Sequence, residues 1–556
     1  MTYLTIEDLN VSYPFQQQPV LKGVNIQISK GEKVLILGPS GGGKSTLALT
    51  LNGIIPKSIE AEMTGTIMVD GENPQELSFR EISERLGILF QDPETQFCML
   101  TVEDEILFGL ENLRFSRMEM KARLEKSLDI VGLTNWRKAQ IRELSGGMKQ
   151  KLALACLLSM DPEVFILDEP TANLDPASTD EIFQLFIALS EKLNKTLIFI
   201  EHKLDYLLPY LERVIVLGQE GKVIADGAPR DIFNHRFPTL IEEGIWVPQI
   251  CRYAKNMEKQ GMKWRHFPLT IEEWKRELES EAGAFQVPQM QKKQVLSNNK
   301  TPLLQVENVS FSYQKQPVLQ NISFSISNGD FVALLGSNGA GKSTLSKTLM
   351  KLLKPEKGEI YLDNKPLSRL KAYEHMQKVG FVFQNPEHQF ICDTVEQELS
   401  YGFKIRGWRK EKWQPGLNEL LAQFHLTAQR QNNPFSLSQG QKRRLSVATM
   451  LTNDQQLLIL DEPTFGQDYA NMKVIMNLLK ELNQNGKTIL MVTHDMELVS
   501  EYANKVILLH DREIAYQGDV ISFFKKEELL HKASLKVPFS YSLQNLAKVG
   551  KEAAIL

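Results

Sequence analysis

The sequence predicts an α/β fold made twice over, and three observations predict it. A ten-residue string recurs a domain's length further on, four more elements follow it in the same order in both halves, and short apolar runs precede the key elements. Leu37-Gly38-Pro39-Ser40-Gly41-Gly42-Gly43-Lys44-Ser45-Thr46 returns as Leu335-Gly336-Ser337-Asn338-Gly339-Ala340-Gly341-Lys342-Ser343-Thr344, an offset of 298 from Lys44 to Lys342. Phe90-Gln91 returns as Phe383-Gln384, Ser145 as Ser438, Asp168-Glu169 as Asp461-Glu462 and His202 as His494, at offsets of 293, 293, 293 and 292. A spacing held across a whole domain length means duplicated domains, because solenoid repeats have far shorter periods. The reading is one cassette over 1–244 and another over 302–534. A small helical appendage and linker, 245–301, joins them, and a second appendage covers 535–556.

Each element follows from local pattern. The runs at 34–37, 164–167 and 197–200, with their counterparts at 331–335, 457–460 and 489–492, suit buried strands of a parallel sheet with helices on both faces. Residues 286–300 are rich in Gln, Lys, Asn and Ser without apolar periodicity and read as linker. Residues 248–261 and 538–550 each carry a short helix-like pattern closed by a Gly, so both are expected as small C-terminal appendages of their cassettes.

Composition excludes several classes. With 42% hydrophobic and 24% charged residues the chain is neither disordered nor collagen-like. A net charge of −4 lacks the basic excess of a nucleic-acid carrier. Cys98, Cys156, Cys251 and Cys392 stand too far apart for a zinc site or a disulfide framework, which fits a reducing cytoplasm. The start, MTYLTIEDLN, has no basic-then-apolar leader, and no stretch approaches the ~18 apolar residues of a membrane span, so any membrane role is expected to be peripheral.

The pattern GxxxxGK[ST] after an apolar strand is a phosphate loop, whose glycines let backbone N–H groups converge on phosphate oxygens at a helix N-terminus. Lys44 and Lys342 are placed to reach the β- and γ-phosphates, and the hydroxyls of Ser45 and Ser343 to ligate Mg²⁺. Four apolar residues running into Asp-Glu deliver two carboxylates to the C-terminal end of a buried strand, where open α/β sheets bind ligands. Asp168 and Asp461 are expected to hold Mg²⁺ through water, and Glu169 and Glu462 to act as general base for the attacking water. Ser145-Gly146-Gly147 and Ser438-Gln439-Gly440 open strongly helical stretches, which is either another anion-binding helix N-terminus or a plain N-cap.

Together the phosphate loop, the LSGGM or LSQGQ string, the hydrophobic run into Asp-Glu and the following His resemble the ATP-binding cassette (ABC) family, over both cassettes and hence most of the chain. The resemblance implies two tandem P-loop NTPase (ABC ATPase) domains, each a mainly parallel sheet core with a helical subdomain. It implies a head-to-tail pair in which ATP is sandwiched between one cassette's phosphate loop and the other's signature. Site one would then use Lys44, Asp168, Glu169 and His202 with Ser438, and site two Lys342, Asp461, Glu462 and His494 with Ser145. Gln91 and Gln384 match the Q-loop residue that touches Mg²⁺ or the attacking water, and Tyr13 and Tyr313 the aromatic that stacks on adenine. His202 and His494 match the switch histidine that contacts the γ-phosphate. Departures are Met148 in place of Gln, Gln439 in place of the first Gly, and Gly466-Gln467-Asp468 against Asn173-Leu174-Asp175 in the D-loop. They leave the relative turnover of the two sites open, although both keep Lys, Asp, Glu and His and are expected to hydrolyse ATP.

After the Q-loop Gln, both cassettes carry Q-[DN]-P-E-x-Q-F, at 91–97 and 384–390. This resembles the ATPases of energy-coupling factor (ECF) vitamin and metal importers, where the segment borders the groove that receives the transmembrane T component. PLTIEEW at 268–274 and the stretch 437–451 are similar to the fused twin-ATPase members, some of them assigned to thiamine-precursor uptake. The resemblance implies a T-type coupling component and a substrate-binding component as membrane partners, at the cytoplasmic face, and no nucleic acid. Lys442, Arg443 and Arg444 read as a solvated helix face. The rival is a soluble twin-cassette protein acting on ribosomes or nucleic acid, which predicts a long charged arm and a basic surface. A non-hydrolysing scaffold conflicts with two intact Asp-Glu pairs.

Overall fold

A computed structural model describes residues 2–14, 18–171, 174–202, 204–280, 302–452 and 455–545. The linker reading at 286–300, Asn173 of the D-loop string and the end of the second appendage from 546 onward lie outside the described residues. The polypeptide divides into two compact units, with the division near residue 285.

In the first unit the strands are β1 (Thr2–Ser12), β2 (Leu21–Ser29), β3 (Lys33–Leu37), β4 (Glu62–Val69), β5 (Leu86–Leu89), β6 (Val164–Asp168), β7 (Thr196–Ile200), β8 (Arg213–Leu217) and β9 (Val223–Gly227). Six form a sheet in the order β5-β6-β7-β3-β8-β9, parallel except for the last pair. All five residues of β6 and of β7 are buried, as continuous apolar runs covered on both faces require. The other three strands form an antiparallel sheet, β2-β1-β4, whose apolar face shares one core with the parallel sheet.

The second unit repeats this plan with β10 (Pro302–Tyr313), β11 (Gln316–Ser327), β12 (Phe331–Leu335), β13 (Lys357–Leu362), β14 (Lys365–Pro366), β15 (Val379–Val382), β16 (Leu457–Asp461), β17 (Thr488–Val492), β18 (Lys505–His510) and β19 (Glu513–Asp519). Its six-stranded sheet runs β15-β16-β17-β12-β18-β19, and its antiparallel sheet, β11-β10-β13-β14, has one short extra strand. Both halves are therefore α/β with a mainly parallel core, as predicted. The antiparallel sheet is an addition that the apolar runs did not reveal.

A helical subdomain interrupts each sheet between β5 and β6, or β15 and β16. In the first unit it contains helices Val102–Asn112, Arg117–Val131 and Gly146–Met160. Thr101 caps the first of these by accepting from the Asp104 N–H, and Ser116 and Glu119 form a reciprocal capping box on the second, closed by left-handed Gly132. The second unit has Val395–Ile405, Lys410–Gln423 and Gln439–Leu451.

The appendage helix predicted after Pro248 is present as Gln249–Lys259. Asp205, just beyond His202, caps it from a distance, accepting from the Gln249 N–H at 2.9 Å. In the second unit residues 539–545 are helical and Glu497 accepts from the Ser540 N–H at 3.2 Å, so both appendages are tethered to the same place in the cassette. PLTIEEW opens the helix Ile271–Ser280. Thr270 caps it through the Glu273 N–H, and Trp274 is fully buried against Trp264 at 4.8 Å between ring centroids. Among the described residues no helix is long and apolar enough to cross a membrane.

Candidate functional site

Each cassette assembles its candidate residues at the C-terminal ends of three adjacent parallel strands. The phosphate loop follows β3, Asp168 ends β6, and His202 lies two residues past β7. Helix Lys44–Leu51 starts directly from Gly43, whose φ of 89° is left-handed. A Cβ there would come within 2.6 Å of Leu21 Cδ2 and 3.0 Å of the Val20 carbonyl, so packing as well as backbone conformation demands glycine. Gly341, at φ 102°, does the same for helix Lys342–Leu349.

The loop lysines fold over their own loops. Lys44 Nζ donates to the carbonyls of Gly38 at 2.8 Å and Pro39 at 2.9 Å. Lys342 donates to those of Gly336 at 2.7 Å and Ser337 at 2.9 Å. Burial lowers the Lys44 pKa below the ordinary lysine value, opposed by Glu169 and Asp168. Burial likewise pushes Asp168 up to about 6, against the hydrogen bond from Ser45 and with the repulsion of Glu169. Asp461 is also raised, by burial and then by Glu462, and accepts from the Ser343 hydroxyl at 3.3 Å. Paired hydroxyl and carboxylate oxygens beside a phosphate loop fit Mg²⁺, a hard cation with oxygen ligands.

Glu169 and Glu462 are held in left-handed backbone, at φ 48° and 46°, by bonds from their N–H groups to the neighbouring strand at the carbonyls of Ile200 and Val492. This turn aims each side chain at the histidine past the neighbouring strand. His202 Nε2 lies 3.0 Å from Glu169 Oε1, and His494 Nδ1 lies 2.8 Å from Glu462 Oε1. Gln91 Nε2 donates to the other Glu169 oxygen at 2.7 Å, whereas the Gln384 side chain is exposed. The structure thus brings Lys, Ser, Asp, Glu and His together in each cassette, and Gln in the first.

Among the described residues, only Tyr13 of the other candidates touches its own phosphate-loop string. The Tyr13 hydroxyl meets Thr46 Oγ1 at 3.1 Å, and Tyr313 is exposed with its ring edge-on to Phe311 at 4.9 Å. Ser145 and Ser438 are N-caps, accepting from the N–H groups of Met148 and Gln441 at 3.3 Å. Only Gln441 returns the bond, accepting from the Ser438 N–H at 3.0 Å; Met148 has no polar group to do so.

In both heptads Asp92 or Asn385 caps a 3₁₀ turn, Pro93–Gln96 or Pro386–Gln389. Glu94 pairs with Lys149, and Glu387 with Lys442, each at 2.6 Å. These bonds anchor the heptads to the signature helices and leave Leu100 and Ile391 exposed just beyond. Residues 442–444 are not the solvated helix face that their sequence suggests. Lys442 and Arg443 are buried, and Arg444 donates to the Phe424 carbonyl at 3.0 Å. Arg443 clamps the Q-loop through the carbonyls of Phe383 and Gln384, and burial lowers its pKa to about 10 despite the nearby Asp461 and Glu462. Sequence reasoning missed this clamp because a run of cations reads as surface; its signal was Gln150 at the matching place in the first cassette.

A phosphate loop in duplicate, each copy served by a strand-end Asp-Glu pair, defines a twin nucleotide-binding protein of the phosphate-loop class. The chain belongs to the ABC transporter family, whose model matches residues 21–172 and 319–465. It binds ATP with Mg²⁺ and hydrolyses ATP. A protein of Bacillus subtilis (strain 168), named "Putative HMP/thiamine import ATP-binding protein YkoD", is 43% identical over 97% of this chain and 95% of its own length. A Methanosarcina mazei protein, named "Putative ABC transporter ATP-binding protein", is 36% identical over 96% of this chain and 91% of its own. A solved structure of cbiO1 from Clostridium perfringens, described as part of the ABC transporter complex cbiONQ, matches 45% of this chain and 98% of its own. That match has 30% identity and a TM-score of 0.39.

Proposed function

We propose that the chain drives an ECF-type importer of a vitamin, vitamin precursor or metal ion, hydrolysing ATP at two sites. Lys44 and Lys342 bind the β- and γ-phosphates, with the loop N–H groups of 38–46 and 336–344 around them. Glu169 and Glu462 take the proton of the attacking water, while His202 and His494 orient them and meet the γ-phosphate. Ser45, Asp168 and Gln91, or Ser343, Asp461 and Gln384, would hold Mg²⁺, which would supply neutralising charge to the triphosphate. Tyr13 and Tyr313 take the adenine, and the signature of the opposite cassette, Ser438 or Ser145, closes each site. The cassettes are 1–244 and 302–534.

The observation that carries this reading is the Glu–His contact beside a phosphate loop in both halves. For transport, support comes from the duplicated heptads with exposed Leu100 and Ile391, and from the import function in the Bacillus relative's name. A T-type component would dock there and a substrate-binding component would complete the importer, with this chain peripheral at the cytoplasmic face. The test is to express the chain with its native membrane partners, purify it in detergent and identify what copurifies. Integral membrane subunits that stimulate turnover are expected; ribosomes or nucleic acid doing so, with no membrane protein retained, would overturn the reading.

A further inference from the structure

We propose that Glu201 is a positioning residue for hydrolysis in the first cassette, a buried carboxylate that ties the switch-histidine backbone to the segment leaving Glu169. The inference rests on the roles proposed for Glu169 and His202. Glu201 is 2% exposed and follows directly on β7. One of its oxygens accepts from the His202 N–H at 2.7 Å, and the other accepts from the hydroxyl of Thr171, which is itself fully buried. Thr171 stands two residues past Glu169, so the carboxylate spans the two loops whose side chains meet as His202 Nε2 and Glu169 Oε1. A second link thus runs parallel to the Glu–His contact and holds the backbone on both sides of it.

The second cassette indicates that this carboxylate is not needed to build the fold. The matching residue is Thr493, which is buried too, but its hydroxyl accepts from the Asp495 N–H at 3.1 Å, within its own loop. Strand β17 and the left-handed Glu462 form all the same. Burying a carboxylate is costly unless its hydrogen bonds are satisfied, and a threonine does the structural work at lower cost. What the carboxylate adds is a bridge between loops. With it, His202 offers Nε2 to its glutamate; with threonine, His494 offers Nδ1.

The test uses the full chain carrying Glu462→Gln, so that the first cassette supplies the hydrolysis. Glu201→Leu, assayed well below its thermal midpoint, is expected to lower kcat by about tenfold or more with KM for ATP held, because a misplaced catalytic pair loses rate without losing binding. Glu201→Gln should restore kcat to within about twofold of the parent, since its amide can accept from the His202 N–H and donate to Thr171. Thr171→Val cuts the same link at its other end, and combining it with Glu201→Leu should add little. If Glu201→Leu fails to fold, Thr171→Val decides alone. Unchanged kcat in the variant that decides, a loss that tracks KM or the thermal midpoint, or a Gln variant as slow as Leu would each overturn the inference. Glu169→Gln in the same background separates the two levels. If it leaves turnover unchanged, the site reading falls and this inference with it; if it abolishes turnover while Glu201→Leu does not, the inference alone falls.

Discussion

The two cassettes hold the same candidate site residues with different supports. Lysine, serine, aspartate, glutamate and histidine occupy matching places because each sits at a strand end or a helix start that the sheet fixes. Their neighbours have diverged. Gln91 reaches Glu169 while Gln384 faces solvent, Gln150 stands where Arg443 grips the Q-loop, Glu201 where Thr493 turns back on its own loop, and Ile82 where His375 is buried. Duplication has preserved what the sheet dictates and released what side chains can do in several ways.

The strongest way to break this comparison is to remove the glutamates. Glu169→Gln and Glu462→Gln should each lower hydrolysis at its own site by about 10²- to 10⁴-fold while sparing ATP binding, and the double variant should be nearly inactive. Comparing turnover of the two single variants measures each cassette's share, and unchanged hydrolysis in both would refute the base assignment. Arg443 is the next contrast. Arg443→Leu should destabilise the second unit by about 2–3 kcal/mol, as lost bonds from a buried charged donor do. Gln150→Leu should cost under about 1 kcal/mol, because Gln150 Nε2 has no hydrogen-bond partner among the described residues. Equal shifts in urea midpoint would erase that difference.

A smaller contrast lies in acid. His375 is buried, its Nε2–H donates to the Leu349 carbonyl at 3.0 Å, and burial, aided by Lys351, lowers its pKa below 6.5. Because the unfolded chain takes up that proton more readily, this contribution is present above pH 6.5 and is lost as pH falls through the folded value. The second unit should therefore lose urea resistance between neutral and mildly acidic pH, and His375→Ile, which copies Ile82, should flatten the loss. The least effect is expected at Met148. Met148→Gln would complete a capping box like that of Ser438 and Gln441 and raise stability by about 0.5–1 kcal/mol, read from the same urea curves.

Much of this was legible in the sequence because it depends on short local strings. The runs at 34–37 and 457–460 appear as Lys33–Leu37 and Leu457–Asp461, and the phosphate loops start their helices where the Gly-Lys junctions predict. The appendage helix after Pro248 was readable from its terminal Gly, but its cap, Asp205, lies 44 residues earlier and was not. Arg443 and Glu201 were misread or passed over for a common reason. Charge in one dimension signals solvent, and only the fold shows that a cation faces two carbonyls or that a carboxylate meets a hydroxyl and an N–H group. The antiparallel sheets escaped because β1 and β10 show burial that breaks step at bulges, which blurs the two-residue period.

The left-handed backbone at Glu169 and Glu462 has an evolutionary consequence. A residue with a Cβ pays on the order of 1–2 kcal/mol to sit there, so exchange for glycine would remove the carboxylate and relax its chain at the same step. Loss of either carboxylate by that route is thus downhill in folding terms. Glutamate nevertheless holds this costly conformation in both halves, where its carboxylate meets a histidine.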